Sequence, residues 1–107
     1  MEESGFDMYA RVVKFIFPNE FSKQGAEAIL DKLVPDRAKN YGLVFRLVLN
    51  PTAEQRIGIQ VFKTEQEAKK FKNDFTTKKL NEVRQAGARI EVFEGPVSQF
   101  DYLLGME

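Results

Sequence analysis

The chain has 107 residues, 43% hydrophobic and 30% charged, with sixteen Lys plus Arg balancing sixteen Asp plus Glu and no His, Cys or Trp. That length suits one domain that folds without disulfide staples, and zero net charge argues against a protein that lives on nucleic acid or an acidic membrane. The missing Cys and His remove disulfide frameworks, thiol redox chemistry, ordinary zinc sites and every catalytic dyad or triad built on imidazole.

No stretch approaches the ~18 uninterrupted apolar residues of a transmembrane helix. The acidic start, Met1-Glu2-Glu3-Ser4, lacks the positive charge and apolar run of a signal peptide. In Asn50-Pro51-Thr52 the central Pro forbids glycosylation. A cytoplasmic protein is the expectation.

Residues 8–17, from Met8 to Phe17, are dense in β-branched and aromatic side chains and stop at Pro18-Asn19, which reads as a long strand. From Phe21 to Val34 the apolar positions Ala26, Ile29, Leu30, Leu33 and Val34 recur at three and four residues, the period of a helix. Ser22 is the expected cap, and Pro35 the expected terminator. A polar connection over residues 36–42 leads to a second strand at Leu43–Leu49, the turn Asn50-Pro51-Thr52, and a third strand at Ile57–Phe62. Thr64-Glu65-Gln66-Glu67 fits a capping box. The helix it opens carries Ala68, Phe71 and Phe75 on one face, then Leu80, Val83 and Ala86. The five-residue step from Phe75 to Leu80 slips the apolar stripe in phase, so a kink or short break is expected around Thr76-Thr77. Gly87 ends the helix, Ala88–Phe93 forms a fourth strand, and Gly95-Pro96 closes it.

The order β-α-β-β-α-β predicts a ferredoxin-like α+β sandwich, two helices on one face of a four-stranded antiparallel sheet. One domain spans residues 1–107, with residues 1–7 as a flexible N-terminus. Residues 97–107 form a C-terminal extension packed on the domain or on a partner. Strand alternation assigns Leu43, Phe45, Leu47 and Leu49, then Ile57, Ile59 and Val61, then Ala88, Ile90 and Val92 to the face under the helices. Val44, Arg46, Val48, Gly58, Gln60, Phe62, Arg89, Glu91 and Phe93 fall on the opposite face. The parity of the first strand stays open: Tyr9, Arg11, Val13, Phe15 and Phe17 form one set, and Ala10, Val12, Lys14 and Ile16 the other. An open face carrying Val44, Val48, Phe62 and Phe93 exceeds what soluble monomers expose. A second subunit, or the segment 97–104 folded back, would cover it, and a homodimer is the favoured expectation.

The β-α-β-β-α-β order, the run Ile59–Ala68 and the run Ile90–Val97 resemble the dimeric α/β-barrel superfamily, in its antibiotic-biosynthesis-monooxygenase-like branch. The resemblance covers most of the chain through apolar patterns rather than signature residues. It implies two sheets closing into a barrel and small apolar or aromatic molecules bound between helices and sheet or inside the barrel. Haem-degrading and chlorite-handling relatives lean on His or Trp, which this chain lacks, so haem chemistry is not expected. No catalytic residue carries over by motif, and no cofactor or metal is expected.

Arg11 and Arg46 stand in otherwise apolar strands. Either guanidinium could hold the carboxylate of an amphipathic ligand at the lip of an apolar cavity, or could pair with Glu91 or another acid of the protein. Phe15, Phe62, Phe93 and Tyr9 complete the candidate ligand-binding set, although core packing is the usual work of Phe. Glu91, Glu94, Asp7 and Asp101 are the carboxylates near strand ends that could act as a general base, and Tyr9, Tyr41 and Tyr102 are hydroxyl alternatives. Surface acids are far more often simply solvated. The Lys63–Lys79 run is interleaved with Glu65, Glu67 and Asp74 and reads as a solvated helix face. An RNA-recognition module shares the element order, but Arg56–Phe62 places Ile where its stacking aromatics belong. The leading reading is a small-molecule-binding protein for a fatty-acid-like or aromatic acid, anchored by Arg. The alternatives are a cofactor-independent monooxygenase or isomerase, and a structural or regulatory dimer without a ligand.

Overall fold

Four strands and two helices form where the apolar periodicities place them, although several ends shift. A computed structural model describes residues 7–31 and 40–101. The chain runs β1 (Tyr9–Ile16), α1 (Glu20–Leu30), β2 (Leu43–Leu49), β3 (Gln55–Phe62), α2 (Glu65–Phe71), a π-turn (Lys72–Thr76), α3 (Thr77–Gln85) and β4 (Arg89–Pro96). The strands pair antiparallel in the order β2-β3-β1-β4. This is the predicted ferredoxin-like sheet. The expected terminator Pro35 and residues 1–6 and 102–107 lie outside the described residues.

Asn19, not Ser22, caps α1: its side chain accepts a hydrogen bond from the Ser22 amide at 2.7 Å. At α2 the Thr64 hydroxyl caps the helix as expected, accepting from the Glu67 amide at 3.1 Å, while the Glu67 carboxylate reaches back to accept from the Thr64 hydroxyl at 3.1 Å in place of the backbone amide of a full capping box. The slipped apolar phase resolves as a π-turn, in which the Thr77 amide donates to the Lys72 carbonyl five residues back. That extra residue per turn keeps Phe71 and Leu80 both buried on one side of a continuous helical rod. Ala86, expected on the apolar face, is exposed just past the end of α3. Gly87, at φ +102°, supplies the left-handed turn that stops the rod.

β3 begins two residues earlier than expected, which brings Arg56 into the strand, and β4 runs through Pro96, which brings in Glu94. Pro96 is tolerated because β4 is an edge strand.

The register corrects the face assignment. Tyr9 is paired with Phe62, Arg11 with Gln60, Val13 with Gly58 and Phe15 with Arg56. Directly paired residues share a face. Tyr9, Arg11, Val13, Phe15 and Phe17 are all buried, so this set packs under the helices and takes Phe62, Gln60, Gly58 and Arg56 with it. Ile57, Ile59 and Val61 therefore belong to the open face. In β2 the register shifts between Leu43 and Phe45, so Leu43 follows Phe62 to the helix side while Phe45 opposes Val61 on the open side. Arg46 and Val48 are helix-facing, and Leu47 and Leu49 are open. The expected faces hold at Leu43 and throughout β4, with Ile90 and Val92 inside and Arg89, Glu91 and Phe93 outside.

Two apolar clusters make up the core. One joins Val13, Phe15 and Phe17 to Ala26 of α1, Leu80 and Val83 of α3, and Ala88. The other joins Tyr9 and Phe62 to Ala68 and Phe71 of α2, flanked by Tyr41, Leu43 and Phe75. A line of polar residues separates them.

Candidate functional site

The separating line is a single rung across all four strands. Glu94 of β4 is paired with Arg11 of β1, Arg11 with Gln60 of β3, and Gln60 with Arg46 of β2, all on the helix side. The next rung is Val92, Val13, Gly58 and Val48. Because Gly58 has no side chain, a hollow opens between sheet and helices. It is a cavity of about 70 Å³. Val13, Phe15 and Val48 form its sheet-side apolar wall, while Leu30 of α1, Phe75 and Thr76 of the π-turn and Leu80 of α3 close it from above. Arg11, Arg46, Arg56, Gln60 and Lys79 supply its polar lining.

The three guanidiniums are not equivalent. Arg56, 4% exposed, donates to Glu27 of α1 at 3.0 Å and to Asp31, the residue that caps its C-terminus, at 2.8 Å. Arg46 donates to the same Asp31 oxygen at 3.3 Å. Burial alone would raise the Asp31 carboxyl, but the hydrogen bonds and charges of Arg56 and Arg46 outweigh it and hold the group below its ordinary value. The acid partner of Arg46 is thus Asp31 rather than Glu91, which lies 3.8 Å from Arg89 on the open face.

Arg11 is different. It is 3% exposed, its closest approach to Glu94 is a loose 3.8 Å ion pair, and its buried Nε has no hydrogen-bond partner. Burial lowers its pKa, with Glu94 pulling the other way. Glu94 is shared, since Tyr9 donates its hydroxyl proton to it at 3.3 Å and Lys72 approaches it at 4.0 Å. Burial, reinforced by Glu94, raises the Tyr9 hydroxyl above its usual range.

Of the six candidate ligand residues, Arg11, Arg46 and Phe15 line the cavity. Tyr9 and the fully buried Phe62 stand one rung behind it, in the second apolar cluster. Phe93 is on the opposite face, 62% exposed. Asp7 and Asp101 are exposed, and Tyr102 lies outside the described residues. Sequence reasoning missed Arg56, Gln60, Gly58 and the acids Glu27 and Asp31. A partial signal for them exists: Arg56, Gly58 and Gln60 share one parity of β3, and Glu27 and Asp31 stand at a four-residue spacing. Among the described residues there is no cluster of three or more potential metal ligands, and no helix is long and apolar enough to cross a membrane.

No family model and no curated protein matches the chain in sequence. Solved structures match in shape. A dimeric ferredoxin-like protein from an uncultured marine organism aligns at TM-score 0.70 and 12% identity over 94% of this chain and 96% of its own. SnoaB, a cofactor-independent oxygenase from Streptomyces nogalater, aligns at 0.61 and 13% over 88% and 96%. A monooxygenase from the gene ActVA-Orf6 of Streptomyces coelicolor, solved with nanaomycin D, aligns at 0.67 and 12% over 88% and 90%. The resemblance in sequence pattern is therefore a shared fold, the ferredoxin-like α+β sandwich of these dimeric proteins and monooxygenases.

Proposed function

We propose that the chain binds a small amphipathic acid in the cavity between sheet and helices, with Arg11 as the anchor of its carboxylate. The observation that carries this reading is the buried Arg11 Nε without an acceptor. A guanidinium held in low dielectric by one loose ion pair lacks acceptors, and a ligand carboxylate supplies them in bidentate geometry. The apolar walls then take the body of the ligand. Arg46 and Arg56 already have acids and serve as framework.

The test compares wild type with Arg11→Met and Arg46→Met against aromatic and fatty carboxylates. Arg11→Met is expected to keep the fold and lose about 2–5 kcal/mol of acid binding. Arg46→Met is expected to bind acids nearly as wild type does. Equal retention in both variants would remove the anchor, and solvent extraction of purified protein should release an acid of this class.

A second subunit on the open face completes this reading. Leu47, Leu49 and Phe93 are 42%, 44% and 62% exposed there, more apolar surface than a soluble monomer normally leaves bare. The C-terminal segment meets this face where Phe100 packs edge-on against Phe45 at 5.6 Å between ring centroids, beside the buried Val61. Two of the proteins of this fold are described as dimeric. Light scattering should return twice 12.3 kDa, and a monomer mass would overturn the dimer.

The second functional reading is a cofactor-independent oxygenase. Its support is the fold shared with SnoaB and the ActVA-Orf6 monooxygenase. Oxygen uptake with quinol-type substrates tests it, and no uptake across a panel would set it aside.

A further inference from the structure

The cavity lining is one-sided in charge. Arg11, Arg46, Arg56 and Lys79 line it, and none of its described lining residues is acidic. The acids that meet these cations stand outside the lining, and they do not meet them evenly. Arg46 and Arg56 have two carboxylates between them, Glu27 and Asp31, and Lys79 has Glu82 at 3.7 Å. Arg11 and Lys72 have one, Glu94, at 3.8 and 4.0 Å. Among the described residues one positive charge is therefore left over, and the orphan Nε puts it on Arg11, 3% exposed. A buried cation in this state calls for one negative charge, not two. The space is small as well. At about 70 Å³ the cavity has less than half of the roughly 150 Å³ that admits benzene to an apolar protein core.

We infer that the ligand is a short-chain monocarboxylate, acetate to butyrate in length, selected by the volume of the cavity and by the single uncompensated charge at Arg11. The inference rests on the ligand-binding reading above and narrows its acid to the short, singly charged class. A carboxylate on Arg11 leaves room for only the first carbons against Val13, Phe15 and Val48, and later ones leave through the mouth. Methylenes gain affinity only while they are removed from water, so affinity climbs with the first carbons and then levels off. A ring cannot enter so small a space without forcing its walls apart. A second carboxylate would be desolvated with no uncompensated cation to receive it.

The experiment is calorimetric titration of wild type, Val48→Ala and Arg11→Met at constant ionic strength, with melting temperatures recorded for each variant. The probes are acetate, propionate, butyrate, pentanoate, octanoate, benzoate and succinate. Wild type should bind propionate about fourfold more tightly than acetate, and octanoate within about twofold of butyrate. Benzoate and succinate should each bind about tenfold or more weakly than butyrate. Val48→Ala enlarges the cavity and should let pentanoate outbind butyrate, whereas Arg11→Met should abolish the whole series. The wild-type series decides by itself should either variant fail to fold. A steady rise to octanoate, or benzoate or succinate equal to butyrate, overturns the inference, while loss of that binding in Arg11→Met keeps the acid anchor. If wild type binds none of these acids, or Arg11→Met binds them all unchanged, the ligand-binding reading falls and this inference with it.

Discussion

Toward the helices, β1, β2 and β3 present Arg11, Arg46, Arg56 and Gln60, where strands packed on helices usually carry aliphatic side chains. Away from the helices, the same strands present Val12, Phe45, Leu47, Ile57 and Ile59. The usual gradient of a half-covered antiparallel sheet is reversed in part. The buried cations persist because acids meet them: Glu27 and Asp31 descend from α1, and Glu94 sits beside Arg11 on β4. On the open face Leu47, Leu49 and Phe93 are exposed, while Val61 is buried. One face thus buries paired charges and the other exposes apolar side chains.

The sharpest way to test that division is to make the same cut on both sides. Phe62→Ala removes a fully buried ring that packs with Tyr9, Ala68 and Phe71 and should cost about 3–5 kcal/mol in chemical denaturation. Phe93→Ala removes a ring that is 62% exposed. At protein concentrations low enough to hold monomers it should change stability by about 0.5 kcal/mol or less, and at higher concentrations it should weaken self-association. Similar losses at both positions in the monomer would erase the distinction between the faces.

Next in size is Arg56→Met. The guanidinium side chain is 5% exposed and its acids, Glu27 and Asp31, are 25% and 54% exposed. Water can partly rescue the two carboxylates, so the loss should be about 1–3 kcal/mol, below that of a wholly buried pair. Adding Glu27→Gln should recover part of it. A double variant no better than the single would mean that Arg56 acts through its packed stem.

The element order was legible because strand and helix periods, turn residues and the Thr64 cap all agree along the chain. The π-turn was legible as a phase slip, since five residues separate Phe75 from Leu80. The faces were not. Both parities of β1 and β3 are apolar enough to be core, so sorting by hydrophobicity sent Arg46, Gln60 and Gly58 outward. Arg46 faces inward beside Asp31, an acid that only the tertiary fold brings near. The irregularity between Leu43 and Phe45 also breaks the strict alternation on which the β2 assignment rested. The candidate site was half legible for the same reason: Arg11 and Arg46 stood out as charges in strands, while Gly58, an absence, had no signal until the register showed what surrounded it.

The smallest expected effect separates charge from packing at the cavity mouth. Asp31 is depressed below its ordinary value, so its contribution to stability is fully present above the unfolded carboxylate value of about 3.9 and is lost as pH falls through the lower folded value. Arg46 supplies one of its two cationic partners, in a pair whose side chains are 31% and 54% exposed. Arg46→Met leaves Asp31 with Arg56, and the screened, half-exposed pair should be worth about 0.2–1 kcal/mol at neutral pH. Melting temperatures of wild type and Arg46→Met measured from pH 7 to pH 2 should differ most near neutrality and converge in acid, where a protonated Asp31 has no charge left to share. A difference that persists unchanged at pH 2 would instead assign the effect to the aliphatic stem of Arg46 beside Val48 on the cavity wall.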